Sequence, residues 1–177
     1  MATYVAFLRA INLGPHRKFP KDAIAEATRA AGFDGVATHI NTGNVRLETR
    51  MRSRARIEAA LEEAYLADRG FAVPTIVLTP AELRAVVDDA AGLAPDHTGR
   101  HYVSLLKDEP TAAAATAIEA RSEPGVLVVV RGRAVHLVVD TDYRGAAVDN
   151  TVVEKVLGVS TNRNVTVLRA LVSKWCS

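Results

Sequence analysis

The chain has 177 residues, 49% of them hydrophobic and 24% charged, with a formal net charge of +2. That length suits one compact domain or two small halves, and the near-neutral total lacks the concentrated basic patch of a nucleic-acid binder. The single cysteine, Cys176, cannot form an internal disulfide or a thiolate metal cluster.

Tyr4 to Leu8 is a short β-like run closed by polar residues. Asn12 to Lys18 holds Gly14, Pro15 and two basic residues and reads as a loop. Pro20 opens a helix, because its missing N–H is unneeded at the first helical position. Ile24, Ala27, Thr28 and Ala31 share one face of that helix, and Gly32 ends it. Val36 to Ile40 and Val45 to Glu48 are strands around a turn at Asn41-Thr42-Gly43. Ser53 is placed to cap a helix carrying Ile57, Leu61, Ala64 and Tyr65, which Gly70 stops. Val73 to Leu78 is a further strand, and Pro74 near its start fits an edge position.

Residues 1–79 therefore read βαββαβ, the ferredoxin-like order. Residues 80–99 form a connecting helix and loop, with Thr79 as N-cap and Glu82 at the capping-box position. From residue 100 a second series begins: a strand at Tyr102 to Leu106, a helix at Thr111 to Ala120, and a hairpin of Gly125 to Val130 with Ala134 to Val139. Asn150 to Leu157 and about Val165 to Trp175 are helical in pattern. Residues 100–177 thus make a second α+β half, of βαββα type with C-terminal helices. The expected fold class is α+β: two ferredoxin-like halves with antiparallel sheets, a structural duplication without a residue-level repeat. No apolar run approaches the roughly 20 residues of a membrane span, and the first residues enter a strand with no signal-like stretch. A cytoplasmic protein is expected.

Strand order brings distant residues together. In a ferredoxin-like sheet the first and third strands are antiparallel neighbours, so the end of the first lies beside the start of the third. Arg9 and Asn12 leave the first strand there, and Asn44 enters the third there. The two polar segments Leu8 to Asn12 and Thr38 to Asn44 should meet at one end of the sheet, near the helix start at Lys18 to Asp22.

The amides and hydroxyl of Asn12, Asn41, Thr42 and Asn44 would form the lip of a pocket, or else a self-bracing turn. Arg9, Arg17 and Lys18 add positive charge beside it, and a helix start favours anions. A small anionic ligand, a nucleotide or phosphate-bearing metabolite, is the partner these groups suit. Arg46, Arg50, Arg52, Arg54 and Arg56 form a denser run that suggests nucleic acid as an alternative. The strand Val45 to Glu48 has no aromatic on which a base could stack.

The five histidines show no zinc-ligand spacing, and the acidic residues Asp140, Asp142, Asp149 and Glu154 miss the EF-hand pattern. No metal or other cofactor is expected. No nucleophile elbow or activated-cysteine setting is present; Tyr143 and His39 are the only hints of an enzyme. An open strand edge in either half would let two chains pair.

Leu8-Arg9-Ala10-Ile11-Asn12-Leu13-Gly14 resembles the LRGINVGG segment of a bacterial family catalogued as domain of unknown function 1697. Thr38 to Asn44 is similar to its TYINSGN segment. Tyr143, Asn150 to Gly158 and Thr161 to Asn164 are similar to its GYGRSKLTNALLEKKLG and TTRNWNTV segments. The resemblance spans nearly the whole chain and implies the two-part α+β fold without supplying an activity. It adds Tyr143, Arg163 and Asn164 to the candidate ligand site. The family's Ser-Lys after the tyrosine is Ala146-Ala147 here, and its tryptophan after Arg-Asn is Val165. A site using that lysine or tryptophan would be incomplete in this chain.

Overall fold

The structure, a computed structural model, describes residues 1–176. They fall into two compact units, Met1–Glu82 and Leu83–Ser177. No helix among the described residues is long and apolar enough to cross a membrane.

The first unit runs β1 (Ala2–Leu8), α1 (Lys21–Ala30), β2 (Asp34–His39), β3 (Asn44–Thr49), α2 (Arg54–Arg69), β4 (Thr75–Leu78). Its antiparallel sheet has the order β2-β3-β1-β4, the ferredoxin-like topology read from the sequence. Alternate residues of β1, Tyr4, Ala6 and Leu8, face the helices and pack with Ile24 and Ala27 of α1 and Ile57, Leu61 and Tyr65 of α2. The Tyr65 hydroxyl shares a 2.8 Å hydrogen bond with Thr28, so its polar end is satisfied inside the core. On the other face of the sheet Val5, Phe7, Ile76 and Leu78 are buried as well. That face is no open platform for stacking bases.

Local signals in this unit mostly act as read. Ser53 accepts the Arg56 N–H, and Gly70 closes α2 in the left-handed region at φ 76°. Pro20 stands one position earlier than expected: α1 begins at Lys21, and Pro20 is the extended residue before it. Having no side-chain acceptor, Pro20 cannot cap the helix, and the acceptor for the Lys21 N–H comes from another loop.

The edge strand β4 lies beside α2. Glu62 Oε1 accepts the Thr75 N–H at 2.8 Å, and Glu58 Oε1 accepts the Val77 N–H at 3.0 Å. Four helical residues advance about 6 Å and two strand residues about 6.6 Å, so carboxylates one turn apart meet every second amide of the strand.

α3 (Pro80–Leu93) starts on the expected capping box: the Thr79 N–H donates to Glu82 Oε2 at 2.7 Å and the Glu82 N–H to Thr79 Oγ1 at 3.1 Å. The second unit continues with β5 (Arg100–Leu106), α4 (Ala112–Glu119), β6 (Val126–Arg131), β7 (Ala134–Val139), α5 (Asn150–Leu157), β8 (Ser160–Asn164) and α6 (Val165–Trp175). Its sheet order, β6-β7-β5-β8, places its strands as the first unit does. The strand β8 goes beyond the sequence reading. Ser-Thr-Asn-Arg-Asn has no apolar alternation, and it is a strand because β5 pairs with it from Tyr102↔Asn164 to Leu106↔Ser160. Ile118 of α4 and Val153 of α5 close the core over Val128, Leu137 and Leu106.

The edges here are closed as well. On β6 the Val128 N–H donates to Ser122 Oγ at 2.9 Å and the Val130 N–H to Glu119 Oε1 at 2.8 Å. On β8 the Ser160 N–H reaches Glu154 Oε1 at 3.5 Å. In the first unit β2 is bent by a bulge between Asp34 and Ala37, where the Arg46 guanidinium donates to the Gly35 carbonyl at 2.7 Å. Edges arranged this way are poor templates for an added strand.

Two histidines sit inside the second sheet. His101 of β5 and His136 of β7 are 6% and 0% exposed, and their rings meet at 3.2 Å, Nε2 to Nδ1. Burial lowers both pKa values to about 4; the positive charges of His97 and Arg169 add to this at His101, and those of His101 and Arg131 at His136.

Candidate functional site

The two polar segments of the first unit meet as strand order requires. Phe7 pairs with Asn44, and the Leu8 N–H donates to the Gly43 carbonyl at 2.8 Å. Gly43 has φ 78°, and a Cβ there would lie 2.7 Å from Leu8 Cβ, so the turn needs a glycine for its contact as well as its backbone. Asn12, itself at φ 55°, joins three segments. Its amide nitrogen donates to the Asn41 carbonyl at 2.7 Å and the Phe19 carbonyl at 2.9 Å, and its oxygen accepts the Phe19 N–H at 2.9 Å. Asn41 Oδ1 accepts the Lys21 N–H at 3.2 Å and so supplies the cap that Pro20 cannot. Asn44 donates to the His39 carbonyl at 3.0 Å and to Thr42 Oγ1 at 2.9 Å. Arg17 spans the loop base, donating to the Ala10 carbonyl at 2.6 Å and the Ala72 carbonyl at 2.7 Å, with Phe71 beneath it.

These bonds give Asn12, Asn41, Thr42 and Asn44 a structural task, holding the loop, the hairpin and the helix start together. Arg9 is half-buried at the strand end, and Lys18 is exposed. In the basic run, Arg46 is paired with Glu48 at 2.5 Å and Arg54 lies 3.7 Å from Glu82. Arg50, Arg52 and Arg56 are exposed.

Tyr143, Arg163 and Asn164 belong to the second unit. Arg163 is buried in β8 and donates to Thr161 Oγ1 at 2.9 Å and the Asn162 carbonyl at 2.8 Å; burial lowers its pKa to about 10. Asn164 is the N-cap of α6 and accepts the Thr166 N–H at 2.8 Å. The Tyr143 hydroxyl donates to Glu123, which raises the tyrosine pKa. The Tyr143 ring lies between two glycines: a Cβ on Gly125 would come within 2.9 Å of it, and one on Gly145 would collide with its hydroxyl. Tyr143 thereby fixes the course of the chain toward α5.

That course roofs a cavity of about 440 Å³, lined by Leu137, Val139, Ala147 and Val148 with Arg100, Tyr102, Asp149 and Asn162. Arg100 and Tyr102 are two residues apart on β5 and so share a face. The Arg100 guanidinium has no hydrogen-bond or ion-pair partner among the described residues, and nor has the Tyr102 hydroxyl. Asn162 donates to Ser104 Oγ at 3.3 Å. Ala147 stands in the lining, so the wall is apolar at that point. Sequence reading missed Arg100, Tyr102 and Asn162; the spacing of Arg100 and Tyr102 on one strand face was the available signal.

A larger, shallower depression of about 680 Å³ has the carboxylates of Asp96, Glu123 and Asp140 in its lining. There His97 accompanies Asp140 at 3.8 Å. Its charge is of the wrong sign for an anionic ligand.

A family model described as protein of unknown function, DUF1697, matches residues 1–136. No curated protein matches the chain. Among solved structures, the conserved bacterial protein SP0830 from Streptococcus pneumoniae has a similar fold, with a TM-score of 0.75 at 15% identity over 100% of this chain and 99% of that one. At that identity the likeness shows the fold alone.

Proposed function

We propose, since the chain belongs to the DUF1697 family of proteins of unknown function and membership brings no activity with it, that it binds a small ligand carrying an acidic group. The seat is the second-unit cavity. The single observation that carries this reading is the exposed Arg100 guanidinium, which has no protein partner among the described residues, at the rim of a hollow with one apolar wall. A planar guanidinium suits a carboxylate or phosphate oxygen pair, and a concave apolar site with few polar groups is the usual form of a ligand pocket. Tyr102 and Asn162 add a hydroxyl and an amide for orientation. The loop site of the first unit supports the reading less well, because its amides are engaged in holding the loop.

A thermal-shift screen with small carboxylates and phosphates tests the proposal. A ligand at a hundred times its Kd stabilises by about 2.7 kcal/mol. At roughly 2–4 °C per kcal/mol for a chain of this size, the melting temperature should rise by about 5–10 °C. Arg100→Ala should keep the unliganded melting temperature and lose the rise. A screen in which no anion shifts the wild type refutes the reading.

A further inference from the structure

We infer that the ligand of this cavity is a small zwitterion with an apolar body, an amino-acid-like molecule whose acidic group meets Arg100 and whose ammonium group meets Asp149. The inference rests on the binding reading above and names its ligand class. Among the described residues lining the cavity, Arg100 alone is basic and Asp149 alone is acidic. The two are not paired with each other. Asp149 is the N-cap of α5, and its Oδ1 accepts the Val152 N–H at 3.0 Å. One oxygen is thus held by the helix while the other has no partner among the described residues.

The position of that carboxylate decides the sign of the ligand. A helix start attracts anions, but a carboxylate already seated on the first turn answers that attraction and repels a second anion. A dianionic phosphate or a dicarboxylate would be drawn to Arg100 and opposed at Asp149. A molecule with one charge of each sign satisfies both. Leu137, Val139, Ala147 and Val148 give the lining a hydrocarbon wall, which suits an aliphatic body. Asn150 is already engaged, donating to the Ser160 carbonyl at 3.2 Å and accepting from Ser160 Oγ at 3.0 Å. The two formal charges of the lining are thus left to Arg100 and Asp149.

The test is calorimetric titration of the full chain with leucine and ε-aminocaproate, which differ in charge separation. Each is set beside the acid that lacks its amine, isocaproate and caproate. Asp149→Asn removes the charge while leaving the cap, because asparagine caps a helix as well as aspartate does. At least one amino acid should bind about tenfold more tightly than its deaminated partner, or about 1.4 kcal/mol. That preference should vanish in Asp149→Asn, and Arg100→Ala should weaken acid and amino acid alike. Equal binding with and without the amine, or a preference that survives Asp149→Asn, overturns the inference. If carboxylates bind, need Arg100 and ignore the amine, the binding reading stands and the zwitterion falls. If amino acids, carboxylates and phosphates all fail to bind, both fall.

Discussion

Acid should weaken the second unit through its buried histidine pair, and the size of the effect follows from two pKa values. In the unfolded chain each imidazole titrates near 6.5; in the fold, burial holds His101 and His136 at about 4. A group whose folded pKa is depressed binds fewer protons folded than unfolded between those values. Stability is therefore full above about pH 7, falls as pH drops from 6.5 toward 4, and is flat in this respect below 4. At about 1.4 kcal/mol per pKa unit, one ring loses about 3 kcal/mol over the whole range and about 2 kcal/mol between pH 7 and pH 5. A proton shared along the 3.2 Å contact between the rings would soften the loss for the pair. Against a typical domain stability of about 5–15 kcal/mol, even one ring's share is easily measured.

Urea unfolding at pH 7, 6 and 5 reads this directly, because few carboxylates titrate in that window. The wild type should lose about 2–4 kcal/mol between pH 7 and pH 5 at constant m-value. His136→Leu keeps one ring and should lose no more than that ring's share, about 2 kcal/mol. Histidine NMR titration of the wild type covers the case in which that variant fails to fold: two rings should remain neutral at pH 5. A flat stability profile, or an unchanged slope in His136→Leu, refutes the reasoning.

Further outcomes follow from individual bonds. Asn12→Ala removes three hydrogen bonds that join the loop, α1 and the hairpin, and should cost about 2–3 kcal/mol in chemical denaturation. A cost below about 0.5 kcal/mol would mean the latch is not structural. Glu62→Ala takes the acceptor from the buried Thr75 N–H and should cost about 1–3 kcal/mol, with faster hydrogen exchange at Thr75 in NMR as its signature. Gly145→Ala drives a Cβ into the Tyr143 hydroxyl. It should displace the cavity roof and weaken ligand binding, and Tyr143→Ala in the same chain should relieve the defect; no relief would place the collision elsewhere.

The fold was legible wherever apolar spacing or a cap carries the signal. Ser53, Gly70 and the Thr79–Glu82 box act where the sequence puts them, and strand order alone brings Asn12 and Asn41 together. β8 was not legible, because its residues are polar and its strand state comes from a partner some 60 positions earlier in the chain. The cavity escaped for a similar reason: Arg100, Tyr102 and Asn162 point to nothing until β5, the Tyr143 segment and β8 are laid side by side. The histidine pair was also invisible, since His101 and His136 are 35 residues apart and only the β5–β7 register sets them ring to ring.

The two glutamates of α2 also act as a ruler. Their spacing recognises alternate amides of β4, so a slip by one residue would turn those amides away and carry Ile76 and Leu78 to the opposite face. The helix is made before the strand it measures. When β4 arrives, its alignment is written on α2 as well as on β1, and either reading can correct the other.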